Sequence, residues 1–115
     1  MTDFKQVLAN AQHNTKAVTK EIPDVIKQRN ALHHTAFKDG ALTEKTKELI
    51  ALAFGIADKC DACIAHHVKK LITLGVTRAE IAELTSVAIL MNGGPGMVYA
   101  AKALEAFDQL SEEYV

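Results

Sequence analysis

The run Leu49-Ile50-Ala51-Leu52-Ala53-Phe54-Gly55-Ile56-Ala57 most constrains the fold of this chain. It has no polar position, so as a helix it would be apolar on nearly every side. A half-buried strand would alternate, and a bilayer span needs about 20 apolar residues, far more than this run supplies. What remains is a central, buried helix, starting at the N-cap Thr43 and ending near Ala57 or Asp58. No other stretch shows strict alternation, while helical spacing recurs throughout. The expectation is an all-α domain of about six helices spanning residues 1–115, since 115 residues suffice for one modest core.

The other helices follow from punctuation and periodicity. Phe4, Val7, Leu8, Ala11 and Val18 form a loose stripe from Asp3 to about Lys20. Pro23 suits the first turn of a second helix, whose inner face would carry Val25, Ile26, Leu32, Ala36 and Phe37. Asp39-Gly40 ends it, with the glycine expected as a left-handed cap. A fourth helix runs from about Asp61 to Leu74 and stops at Gly75. Thr77-Arg78-Ala79-Glu80 is a capping box opening a fifth, through Ile81, Leu84, Val87, Ala88 and Met91. Asn92-Gly93-Gly94 stops that one, and Pro95 permits a sixth, with Met97, Val98, Ala101, Leu104 and Phe107 facing in. The tail from Ser111 to Val115 is expected to fray.

A net charge of −1 offers no electrostatic case for nucleic acid or an anionic membrane. The N-terminus lacks the basic-then-apolar layout of a secretory signal, so the expected location is cytoplasmic. In a reducing compartment two closely spaced cysteines are redox-active or metal-binding more often than structural.

Chemistry concentrates between Glu48 and His67. Cys60 and Cys63 form a C-x-x-C pair at the start of the fourth helix, where unsatisfied backbone N–H groups favour a thiolate. Asp61 opposes that ionisation, whereas Lys59, His66 and Lys69 assist it. His67 lies four residues after Cys63, on the same helical face, and could take or relay the thiol's proton; His66 is a weaker candidate. Glu48 shares a stripe with Ala51 and Gly55, small residues that would let another helix approach closely. Such an approach would bury Glu48 and make it a proton acceptor. His13, His33 and His34 have no partner spacing and are expected at the surface or an interface. Gly93-Gly94-Pro95-Gly96 follows a helix and lacks the P-loop lysine, so it is read as a turn.

The pattern E-x11-C-x2-C-x3-H, on Glu48, Cys60, Cys63 and His67, resembles the active-site motif of AhpD-like alkylhydroperoxidases within the carboxymuconolactone decarboxylase family. Its context is similar too: Leu42-Thr43 and Glu48-Leu49-Ile50-Ala51-Leu52 before the cysteines, Cys63-Ile64-Ala65-His66-His67, Leu74-Gly75 before Thr77, and Met91-Asn92-Gly93-Gly94-Pro95. The resemblance covers about residues 22–108. It implies a helical homo-oligomer, commonly a trimer or hexamer. It also implies Cys63 as the peroxidatic thiol, Cys60 as the resolving thiol, and His67 with Glu48 as the proton relay. The implied substrates are hydroperoxides or disulfides, reduced with an outside dithiol such as a lipoyl or thioredoxin-like protein, with no cofactor or metal. The chain departs from the longer two-repeat members, and has Ala62 where some members carry a histidine before the second cysteine.

Three other readings compete. Cys60, Cys63 and His67 could supply three zinc ligands, with His66, His33 or a neighbouring subunit giving a fourth. The lactone decarboxylation for which the wider family is named needs no C-x-x-C pair. A stress-linked interaction protein could use the cysteines only to sense redox state. Haem attachment is set aside because Ile64, not histidine, follows Cys63.

Overall fold

The computed structural model of this chain describes residues 1–114, with side chains as far as Glu112. Among these residues five helices account for the fold: α1 (Phe4–Glu21), α2 (Pro23–Phe37), α3 (Glu44–Ala57), α4 (Asp61–Thr73) and α5 (Arg78–Tyr114). There is no strand among the described residues. The fifth helix is bent at Gly93 (φ 67°, ψ −144°), where the sequence places the break between a fifth and a sixth helix. That backbone conformation favours glycine. The chain reverses there: a Cβ on Gly96 would meet Asn92 Cβ at 2.8 Å and Ala88 O at 3.0 Å. The reversal brings Asp108 back beside Arg78, whose Nε and Nη2 donate to its two carboxylate oxygens at 2.8 and 3.1 Å.

Local signals govern the helix ends. Asp3 caps α1 by accepting from the Gln6 N–H, and Thr43 caps α3 by accepting from the Thr46 N–H. Thr77 and Glu80 form the reciprocal capping box, with bonds of 3.1 and 2.9 Å. Gly75 adopts φ 82° after α4. Gly40 does not take the left-handed conformation expected of it. Instead Lys47 Nζ donates to the carbonyls of Ala36 and Lys38, satisfying the end of α2, while Asp39 accepts from the Glu44 N–H at the start of α3. A side chain from the next helix replaces the glycine cap. Ser111 to Tyr114 continues α5 rather than fraying, and Val115 lies outside the described residues.

The core is built by α3, α4, both arms of α5 and the first turns of α1. Phe4, Leu52, Ile56, Ile64, Leu71, Ile81 and Leu110 are its largest fully buried apolar side chains. Gln109 ties α1 to α5, accepting from the Phe4 N–H and donating to the Thr2 carbonyl. Helix α2 departs from the expected pattern: it buries no residue, and Val25 and Leu32 are 60 % and 69 % exposed. Its apolar spacing defines a face, but this chain does not cover it. Phe54 and Ile50 of α3 are likewise exposed, so the central helix is buried on one side rather than on nearly all.

Candidate functional site

The site begins with how closely α3 and α4 approach. A Cβ added to Gly55 would lie 3.3 Å from Cys63 Cβ and 3.4 Å from the Ile64 nitrogen. The small stripe read in the sequence is therefore a contact line, and Glu48, on the same line, is buried with its side chain 1 % exposed. An ionised carboxylate out of water is costly unless paired. Its partner is His67, whose Nδ1 lies 3.2 Å from Glu48 Oε2. With Glu48 ionised, Nδ1–H donates to it, and Nε2 is left as the free basic nitrogen.

Cys60 and Cys63 are joined in a disulfide, with Cα atoms 5.2 Å apart. Cys60 is the N-cap of α4, and its Sγ accepts from the Cys63 N–H at 3.2 Å. The pair therefore sits at the positive end of a helix, where a thiolate is favoured after reduction. The Cys60 N–H donates to the Gly55 carbonyl at 3.1 Å, fixing the tight α3–α4 turn through Lys59, which has φ 55°.

Asp61 does not stand as an uncompensated negative charge beside the sulfurs. Lys102 Nζ, from the second arm of α5, donates to both of its carboxylate oxygens at 2.9 Å. Nothing local in the sequence signals this pair, because the two residues meet only after the reversal at Gly93.

Cys63 and His67 of α4 line a groove of about 1140 Å³ that is also lined by residues of α1, α2 and α3. From α2, Phe37 stacks near His67 (centroids 6.3 Å apart, planes 22° apart) and His33 stacks on Phe37 at 4.5 Å. His33, expected at the surface or an interface, also meets the edge of His66 at 6.3 Å. The i, i+4 spacing of His33 and Phe37 puts the two rings on one face of α2 but does not say that this face meets the site. His66, exposed on one side, is held below the ordinary imidazole range. Partial burial is the largest cause and the neighbouring His67 the next, with His33 and Lys69 adding to them and Glu48 opposing. His13 and His34 are exposed and do not line the groove. Among the described residues no three His, Cys, Asp or Glu side chains converge as metal ligands. Among the same residues, no helix is long and apolar enough to cross a membrane.

Residues 23–106 match the model of the carboxymuconolactone decarboxylase family. An uncharacterised protein of Cupriavidus necator is 34 % identical over 110 residues, covering 96 % of this chain and 97 % of its own length. Among solved structures, a carboxymuconolactone decarboxylase family protein from Legionella pneumophila is 41 % identical. It superposes with a TM-score of 0.91 over 94 % of this chain and 96 % of its own. A Thermotoga maritima family protein, for which a part in the antioxidative response has been suggested, shares the fold at 24 % identity. Its TM-score is 0.79 over 91 % of this chain and 90 % of its own.

Proposed function

This chain belongs to the carboxymuconolactone decarboxylase family, and we propose that within it the protein is a thiol-dependent peroxidase with disulfide reductase character. One observation carries this reading: a Cys60–Cys63 disulfide opens α4 on the same groove as an imidazole bonded to a buried carboxylate. Cys63, not Cys60, lines the groove, which favours Cys63 as the attacking sulfur. The antioxidative role suggested for the Thermotoga maritima relative points the same way.

In the proposed cycle, His67 takes the proton of Cys63 while Glu48 holds the imidazole and stabilises its charged form. The thiolate attacks the terminal oxygen of a hydroperoxide and the O–O bond breaks. Sulfur is oxidised by two electrons to a sulfenic acid. The departing alkoxide recovers the proton from His67 and leaves as an alcohol. Cys60 then attacks Cys63 Sγ, the S–S bond forms, and the sulfenic hydroxyl leaves as water with the Cys60 proton. An external dithiol, of lipoyl or thioredoxin type, reduces the disulfide by exchange and is itself oxidised to a disulfide. The cycle uses no cofactor or metal.

The same reading places the protein in the cytoplasm, where such reductants are maintained, and gives it no nucleic-acid or membrane partner. It also makes the protein a homo-oligomer, a trimer or hexamer, whose contacts would cover Val25 and Leu32 of α2 and the exposed Leu90, Met91, Met97 and Val98 beside the α5 reversal. The test is coupled turnover of the purified protein, pairing hydroperoxides of different size with lipoyl, thioredoxin-type and small dithiols. Hydroperoxide loss matched by dithiol oxidation is expected. A Cys60–Cys63 pair that reduces but never reoxidises on hydroperoxide addition would overturn the proposal.

A further inference from the structure

The groove that Cys63 lines is larger than a small hydroperoxide requires, and its charge is uneven. Four cations line it, Lys16, Arg29, Lys69 and Lys70, against a single acid, Asp58. Lys70 is paired with Glu44 at 3.5 Å. No ion pair among the described residues holds Lys16 or Arg29. These two stand six and seven positions from Ile22, where α1 and α2 meet, and each lies on a different wall.

On α2 the groove-lining residues Arg29, His33 and Phe37 are spaced i, i+4 and i+8, so they form one stripe. Phe37 marks the chemical end, since its ring stacks near His67. Arg29 lies eight residues back, about 12 Å along the helix axis at about 1.5 Å per residue. The groove also includes apolar surface from Leu8, Ala11, Phe37 and Phe54.

We propose that the oxidising substrate is an organic hydroperoxide with an extended apolar chain ending in a carboxylate. Its anionic end would lie between Lys16 and Arg29, and its O–O bond would reach Cys63. A hydroperoxy fatty acid has this chemistry, with about ten bonds of extended chain spanning the separation. The inference rests on the proposed peroxidase reading and specifies its substrate. The reacting step is unchanged: the terminal oxygen passes to Cys63, the O–O bond breaks, and the chain departs as a hydroxy acid. The external dithiol supplies the two electrons that reset the sulfurs.

The test uses the full chain with a small dithiol and compares a hydroperoxy fatty acid with its methyl ester, both below their aggregation concentrations. The acid is expected to have the higher kcat/KM by roughly twofold to fivefold, the size of one exposed charge interaction. Raising salt should shrink that ratio. The ratio should collapse toward one in Lys16→Met/Arg29→Met and persist in Lys27→Met, which removes a cation of α2 outside the groove. A second readout needs no turnover: binding of the unreactive hydroxy acid and its ester to the disulfide form. Acid-selective binding lost in the double variant supports the charged groove even if no hydroperoxide is consumed, in which case only the peroxidase reading falls. Turnover or binding that treats acid and ester alike, or a preference surviving in the double variant, overturns the substrate assignment.

Discussion

Helices α4 and α2 are similar in length and both flank the same groove, but they are held in opposite ways. Helix α4 buries Ile64, Ala65, Val68, Leu71 and Ile72 and packs against α1, α3 and α5. Helix α2 buries nothing and rests on α1 and α3, and on the site through the rings of His33 and Phe37. The difference separates two tasks. The sulfurs and His67 ride on a helix whose position the core dictates, so their spacing is fixed before substrate arrives. The opposite wall is free to vary in composition without disturbing that spacing.

The largest effect should come from the rigid side. Cys63→Ser is expected to abolish hydroperoxide consumption, while Cys60→Ser still lets sulfenic acid form at Cys63, as read by a sulfenate-trapping reagent. Trapping at Cys60 instead would reverse the roles. Next, Leu71→Ala should cost about 2–5 kcal/mol in urea unfolding, because Leu71 is fully buried. Leu32→Ala should cost under about 0.5 kcal/mol in a dilute monomeric sample. Comparable losses at both positions would erase the contrast between the helices. Glu48→Gln keeps the shape of the buried pair but loses its charge. It should slow thiolate formation roughly tenfold to a hundredfold, and an unchanged pH–rate profile would remove Glu48 from the relay.

The smallest effect concerns the seam between the two helices. His66 is held below its usual range chiefly by partial burial, so the unfolded chain binds the proton more readily. Stability should therefore be fully present above about pH 6.5, the unfolded value, and decline as pH falls from there toward the lower folded value. The unfolding midpoint of His66→Gln should show less decline across that window. An identical profile would mean that His66 contributes nothing to it.

What could be read in the sequence was what neighbouring residues decide. The Thr77–Glu80 box, the Gly75 stop, the break at Gly93 and the Glu48–Ala51–Gly55 stripe depend on contacts within a few turns or on residue size. The stripe was the more informative, since it placed a carboxylate inside before any coordinate did. The expected inner face of α2 failed because periodicity identifies an apolar face without saying whose surface covers it. Gly40 failed because Lys47, a turn into the next helix, took the role of the cap. Lys102 and Phe37 could not be found from spacing, because Asp61 and His67 reach them only through tertiary contact.

The reversal at Gly93 has a consequence for how this chain can change in length. From Pro95 to Tyr114 the chain is one helical arm, so one residue inserted before Lys102 would turn its side chain by about 100° around the axis. The ammonium group would swing off Asp61 and leave a bare carboxylate next to the sulfurs. The segment between Lys38 and Leu42 can absorb added residues, being exposed and outside any helix. Between the bend and Lys102, the number of residues itself sets the charge beside the disulfide.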